Sequence, residues 1–169
     1  MQQFRHFSEV PRWDRNCSDK CYVFFNDDRK VVRQDPAAFP KAISSLPINI
    51  ARSQSIRVLL PHMFTIGLFH AETKGELHEL LNEEGLRKST EDLVTKHTET
   101  TFCFLYLNYQ KIVSRANPND AVITASVEGS WRNVNQTVCE LRIDSTANKV
   151  VFRGNDLNLG EATLPAPPV

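Results

Sequence analysis

The stretch Thr101-Phe-Cys-Phe-Leu-Tyr-Leu-Asn-Tyr109 carries large apolar side chains on both of its faces. Read with the two-residue alternation of a strand, Phe102, Phe104 and Tyr106 point one way and Cys103, Leu105, Leu107 and Tyr109 the other. A strand of that kind must be covered twice. It is expected at the centre of a sheet, running on to Val113, with a helix layer or a second sheet on each face.

Downstream, Arg115-Ala-Asn-Pro-Asn-Asp120 reads as a turn, and a meander follows with strands over 121–128, 137–144 and 149–153. Val138, Glu140, Arg142 and Asp144 alternate with Cys139, Leu141 and Ile143, which predicts one wet and one buried face. Ser145-Thr-Ala-Asn148 is the turn between the last two strands. Beyond residue 153 the composition shifts toward Pro, ending in Pro165-Ala-Pro-Pro168, and an extended tail over 154–169 is expected.

Upstream, residues 1–20 set Phe4, Phe7 and Trp13 among basic residues, with Pro11 breaking any helix, and read as an irregular arm. Cys21-Tyr-Val-Phe-Phe25 and Lys30-Val-Val-Arg33 flank the polar turn Asn26-Asp-Asp-Arg29, the pattern of a hairpin. Asp35-Pro36, followed by Phe39, Ile43 and Leu46 at helical spacing, predicts a helix that Pro47 ends, although Pro40 sits awkwardly inside it. Residues 56–60 and 63–69 are strand-like, and Pro61-His62 marks an edge or bend. The clearest helix spans 73–84: Thr73 and Glu76 form a capping box, and Leu77, Leu80 and Leu81 make one stripe before Gly85. Ser89-Thr-Glu-Asp92 opens a shorter helix.

The expected fold is therefore α+β: a mainly antiparallel curved sheet of about six or seven strands with two or three helices packed against it. Residues 1–153 form a single globular domain in this reading, with the arm over 1–20 and the tail over 154–169. The order of hairpin, helix ending in Leu46-Pro47, paired strands and a closing meander with Gly129-Ser-Trp-Arg132 resembles the nuclear-transport-factor-like cone over residues 21–144. The long paired N-terminal helices of such a cone are missing, so the resemblance implies no site residue.

Composition narrows the function classes. Of 169 residues, 41% are apolar and 24% charged, the balance of a globular domain. Lys+Arg and Asp+Glu both number 20, which removes the simplest argument for a nucleic-acid binder. The charge is uneven: ten basic against six acidic residues over 1–60, then four against eight over 61–100. Such asymmetry can orient a molecule on a partner or on its own copy. The longest apolar run, 56–69, is interrupted by Arg57, Pro61, His62 and Gly67, and the N-terminus lacks the apolar core of a secretory signal. An intracellular soluble protein, cytoplasmic or nuclear, is expected, with no transmembrane segment.

No chemistry-fixing motif is present: the sequence lacks G-x-S-x-G, a P-loop and G-x-G-x-x-G. Cys17 and Cys21 make a lone C-x3-C, and His62, His70 and His78 lie eight apart, matching neither helical nor strand ligand pairs. No metal, cofactor, catalytic residue or small-molecule ligand is assigned.

The leading expectation is a non-enzymatic protein-binding or assembly protein, an adaptor or a viral matrix or accessory type. Its partner is another protein or its own copies. It would act through the Phe102, Phe104 and Tyr106 sheet face and through Trp131 and Arg132 in a polar loop, since Trp and Arg recur at interface hot spots. The alternative is RNA, DNA or anionic-surface binding by Arg12, Trp13, Arg15, Lys20, Arg29, Lys30 and Arg33, because stacking aromatics and cations clamp single strands. A small enzyme with a cone-shaped pocket is the second alternative.

Overall fold

The structure, a computed structural model, describes residues 12–16, 18, 20–34, 42–44, 48–61, 64–70, 92, 95–127, 129 and 136–166. These contain ten strands in three antiparallel sheets: β1 (Tyr22–Phe25), β2 (Lys30–Arg33), β3 (Gln54–Pro61), β4 (Thr65–Phe69), β5 (Phe102–Tyr106), β6 (Lys111–Arg115), β7 (Ile123–Ser126), β8 (Gln136–Asp144), β9 (Lys149–Gly154) and β10 (Leu157–Thr163). Among the described residues no helix stands as a named element, so for them the α+β expectation is corrected to a nearly all-β fold, and one curved sheet becomes three. The expected helix before Pro47 does not run through residues 42–44, because Ser44 pairs with Trp13 in an isolated antiparallel bridge. The rest of that expected helix, over 35–41 and 45–47, lies outside the described residues. The helix expected over 73–84 lies outside the described residues, as does most of the one after Ser89.

The described residues fall into two compact units. The smaller holds the described residues of the arm, from Arg12 onward, and the β1–β2 hairpin. Its turn places Asn26, Asp27 and Asp28 consecutively in the left-handed region, φ 53°, 56° and 62°, where Asn and Asp are tolerated best.

The larger unit holds two four-stranded sheets, ordered β10-β9-β8-β3 and β4-β5-β6-β7. In the second, β5 is interior and every one of its residues is buried, as its two apolar faces require. The strand does not continue to Val113. A turn at 107–110, with Gln110 at φ 52°, splits it into β5 and β6, and Tyr109 lies 70% exposed instead of facing inward. In the first sheet, Cys139, Leu141 and Ile143 of β8 are buried with Val150 and Phe152 of β9, to which Leu141 and Ile143 are paired in register. Each such side chain contributes roughly 1.5–3 kcal/mol through apolar burial.

The two sheets come together where Ile112 of β6 meets Gly160 of β10: a Cβ on Gly160 would stand 2.8 Å from Ile112 Cδ1. A register shift between Asn158 and Gly160 turns Leu159 inward there, the effect of a β-bulge. Residues beyond 153 thus enter the sheet. Asn155 and Asp156, both at positive φ, form the two-residue turn that returns the chain as β10. Past β10, the Ala166 N–H donates to the Ala116 carbonyl at 2.8 Å and the Thr101 hydroxyl donates to the Ala166 carbonyl. These bonds tie the chain end to the β5–β6 sheet.

Candidate functional site

The outward face of the β10-β9-β8-β3 sheet gathers the most distinctive exposed groups. The β3–β8 register sets Leu59 opposite Val138 and Arg57 opposite Glu140, and the β8–β9 register sets Glu140 opposite Arg153. Leu59 and Val138 are 63% and 44% exposed, an aliphatic cross-strand pair facing water. One step along the strands, Glu140 lies on the wet side of the alternation and is nonetheless buried. Its Oε2 accepts from Arg57 Nε at 2.7 Å, and its Oε1 accepts from Arg142 Nε. Burial pushes the Glu140 pKa upward, but the hydrogen bonds and charges of Arg57 and Arg142 outweigh it and hold the carboxyl below its ordinary value.

Two arginines, Arg57 and Arg142, thus share the one Glu140 carboxylate, while Arg153, paired with Glu140 in backbone register, turns its Nη2 to donate to the Asp156 carbonyl at 2.7 Å. The other acids of the face are engaged elsewhere: Lys149 pairs with Glu161 at 3.1 Å, and Asp144 accepts from the backbone of Thr146 and Ala147.

The residues expected as a docking face from sequence stand differently. Phe102, Phe104 and Tyr106 are buried, and form a ladder: Phe102 stacks on Phe104 with centroids 5.2 Å apart, and Phe104 meets Tyr106 edge-on at 6.2 Å. Cations from β6 close both ends, Arg115 over Phe102 and Lys111 over Tyr106, each about 5.5 Å from the ring centroid. That face is filled. Trp131 and Arg132 lie outside the described residues, in the segment leading into β8.

The arm and hairpin do bring part of the basic set together. Arg12 pairs with Asp27 and Arg15 with Asp28, each at 2.7 Å, and Arg15 also lies 5.4 Å from the Phe24 ring centroid. Trp13 is half-buried, its backbone N–H donating to the Asp28 carbonyl. Lys20, Arg29 and Lys30 are exposed, and Arg33 pairs with Tyr22 in the hairpin register. The hairpin's own acids therefore offset two of these cations.

Burial pushes the thiols of Cys103 and Cys139 up to about 12, the first against a lowering hydrogen bond from Leu68, the second reinforced by the nearby Glu140 charge. Neither is a nucleophile at neutral pH. Among the described residues no group of three or more His, Cys, Asp or Glu is placed to hold a metal ion, and no helix is long and apolar enough to cross a membrane. No protein-family model, curated protein or solved structure matches the chain.

Proposed function

We propose that the chain is a non-enzymatic protein-binding module whose docking surface is the outward face of the β10-β9-β8-β3 sheet. The observation that carries this reading is the exposed Leu59–Val138 pair set beside a buried, arginine-framed carboxylate. Exposed aliphatics beside ordered arginines are the composition of an interface core and its rim. Trp131 precedes β8 in the sequence, and the first residue of β8, Gln136, stands two residue pairs beyond Leu59 and Val138 in the register. Among the described residues Cys103 and Cys139 are buried without a disulfide, which suits a reducing, intracellular compartment, cytoplasmic or nuclear, and that is part of the same proposal. Nucleic-acid binding through the basic arm is the weaker reading, since Asp27 and Asp28 offset Arg12 and Arg15.

The test is site-specific photo-crosslinking in source-cell extract, with the reactive side chain at position 138 and, as a control, at position 109. An identified protein captured from 138 alone, and lost when Leu59→Asp is added, supports the proposal. Equal capture from both positions, or none from 138, rejects it. Light scattering on the pure chain at low and high salt separates a foreign partner from self-association.

A further inference from the structure

We infer that the chain pairs with a second copy of itself through the outer edge of β7, the two strands running antiparallel about a two-fold axis at Thr124. The inference stands apart from the docking face, which belongs to the other four-stranded sheet.

The first argument is a free hydrogen-bonding edge. β7 is the last strand of its sheet and pairs on one side only, with β6. The Val127 N–H donates to the Gln110 carbonyl at 2.8 Å, so in the same register Ala125 and Ile123 exchange bonds with Ile112 and Ser114. That alternation turns the backbone N–H and C=O of Thr124 and Ser126 away from β6. Among the described residues no hydrogen bond satisfies them. Their alternating donors and acceptors match those of another strand.

The second argument is that nothing protects this edge. All four residues of β7 are exposed, and Val122 and Ile123 are 41% and 64% open to solvent. The segment Ala121-Val-Ile-Thr-Ala-Ser126 carries no charge and no proline, and β7 keeps one register along β6 without a bulge. The other outer strands are blunted in the ways that block edge pairing. β3 carries Arg57 and ends in Pro61, β10 has a bulge and Glu161, and β4 has its side chains half-buried beyond Thr65.

The third argument chooses the occupant. Pairing about Thr124 sets Thr124 opposite its own counterpart, Ile123 opposite Ala125 and Val122 opposite Ser126. Outward backbone groups then meet outward backbone groups. On each face of the joined sheet a bulky β-branched side chain stands beside a small one, and two threonines meet at the centre. The uncharged segment sets no like charges against each other. A two-fold contact uses each copy's edge once, so association stops at two chains. A single strand pair is a small interface, and the dimer is accordingly weak and concentration-dependent.

Sedimentation velocity of the full chain from about 1 to 500 μM, at low and high salt, tests this. The expected mass rises from one chain to two with concentration and does not fall back in high salt, since no ion pair holds the copies together. Thr124→Pro removes an N–H that β6 does not use. Thr124→Lys, which serves should the proline variant lose its thermal transition, sets like charges face to face across the two-fold. Each is expected to weaken association at least about tenfold, while Leu59→Asp/Val138→Asp associates as the wild type does. Thr124→Cys should form a disulfide-linked dimer under mild oxidation, because the paired Cα atoms would stand about 5.5 Å apart. Leu157→Cys, also at an exposed position, should not. A chain that stays monomeric at the highest concentration overturns the inference, and a different protein then captured by a photoreactive side chain at position 124 assigns the edge to a foreign strand. Association lost with Leu59→Asp/Val138→Asp but kept with the Thr124 variants overturns it as well, and moves self-pairing to the docking face.

Discussion

The ring of Phe104 lies against the backbone of Gly67, its directly paired neighbour across β4 and β5. A Cβ at Gly67 would stand 2.5 Å from Phe104 Cδ1 and 2.1 Å from the Cys103 carbonyl oxygen. The aromatic ring covers the strand backbone that glycine leaves open, and glycine in turn makes room for the ring.

Gly67→Ala is therefore expected to destabilise the larger unit by about 1–3 kcal/mol or more, because the second contact is with backbone and no rotamer change relieves it. Chemical denaturation of the two proteins measures the difference. A midpoint unchanged within error would mean that β4 shifts freely along β5, contrary to the packing of Phe104 on Gly67.

How much of this arrangement can be read from the chain depends on the range of the interaction. The double-sided burial of 102–106 and the one-sided alternation of 138–144 are local periodicities, and both appear in the strands observed. The turn at 107–110 is hidden because Leu107 and Tyr109 continue the apolar alternation through it, and the positive φ of Gln110 has no strong residue signature. Asn155-Asp156 is a hairpin signal, but the Pro-rich residues after it make the whole segment look like a tail. The site is least legible. Glu140 looks like any polar residue on a wet face until β3 is laid beside β8 and brings Arg57, 83 positions away, onto it.

Cys103 and Cys139 provide a probe of local opening. With both thiols pushed up to about 12 by burial, alkylation by iodoacetamide near pH 8 should leave them unmodified in the native protein and modify both in concentrated guanidinium chloride. Peptide mass spectrometry distinguishes the sites. Rapid native labelling of Cys139 would show that β8 opens without global unfolding.

Arg115 closes one end of the aromatic ladder from a buried position. Its Nε donates to the Asp120 carbonyl at 3.0 Å and its Nη1 to the Thr100 carbonyl at 3.2 Å, while the guanidinium faces the Phe102 ring. Lysine keeps the charge but not the fork, and cannot reproduce both bonds together with the stacked plane. Arg115→Lys is expected to cost about 1–3 kcal/mol, mainly through carbonyls left poorly satisfied. Equal stability of the two proteins in urea denaturation would show that the bonds contribute nothing net.

Glu140 predicts a pH dependence whose sign follows from its environment. Its folded-state pKa lies below the unfolded value near 4.5, held down by Arg57 and Arg142 against the opposing effect of burial. A carboxyl shifted in that direction adds stability that is fully present above the unfolded value and is lost as pH falls through the folded one. Other carboxylates titrate over the same range, so the informative quantity is the difference between the wild type and Glu140→Gln. The variant is expected to be less stable at neutral pH, since glutamine presents one acceptor oxygen where two arginines need two. Acidification protonates the wild-type carboxyl and leaves glutamine unchanged, so the gap should narrow progressively below about pH 4.5. Thermal melts across that range measure it. A gap that stays constant into strong acid would show that the ionised carboxylate contributes no more than its neutral isostere, and that the arginines are positioned by something other than its charge.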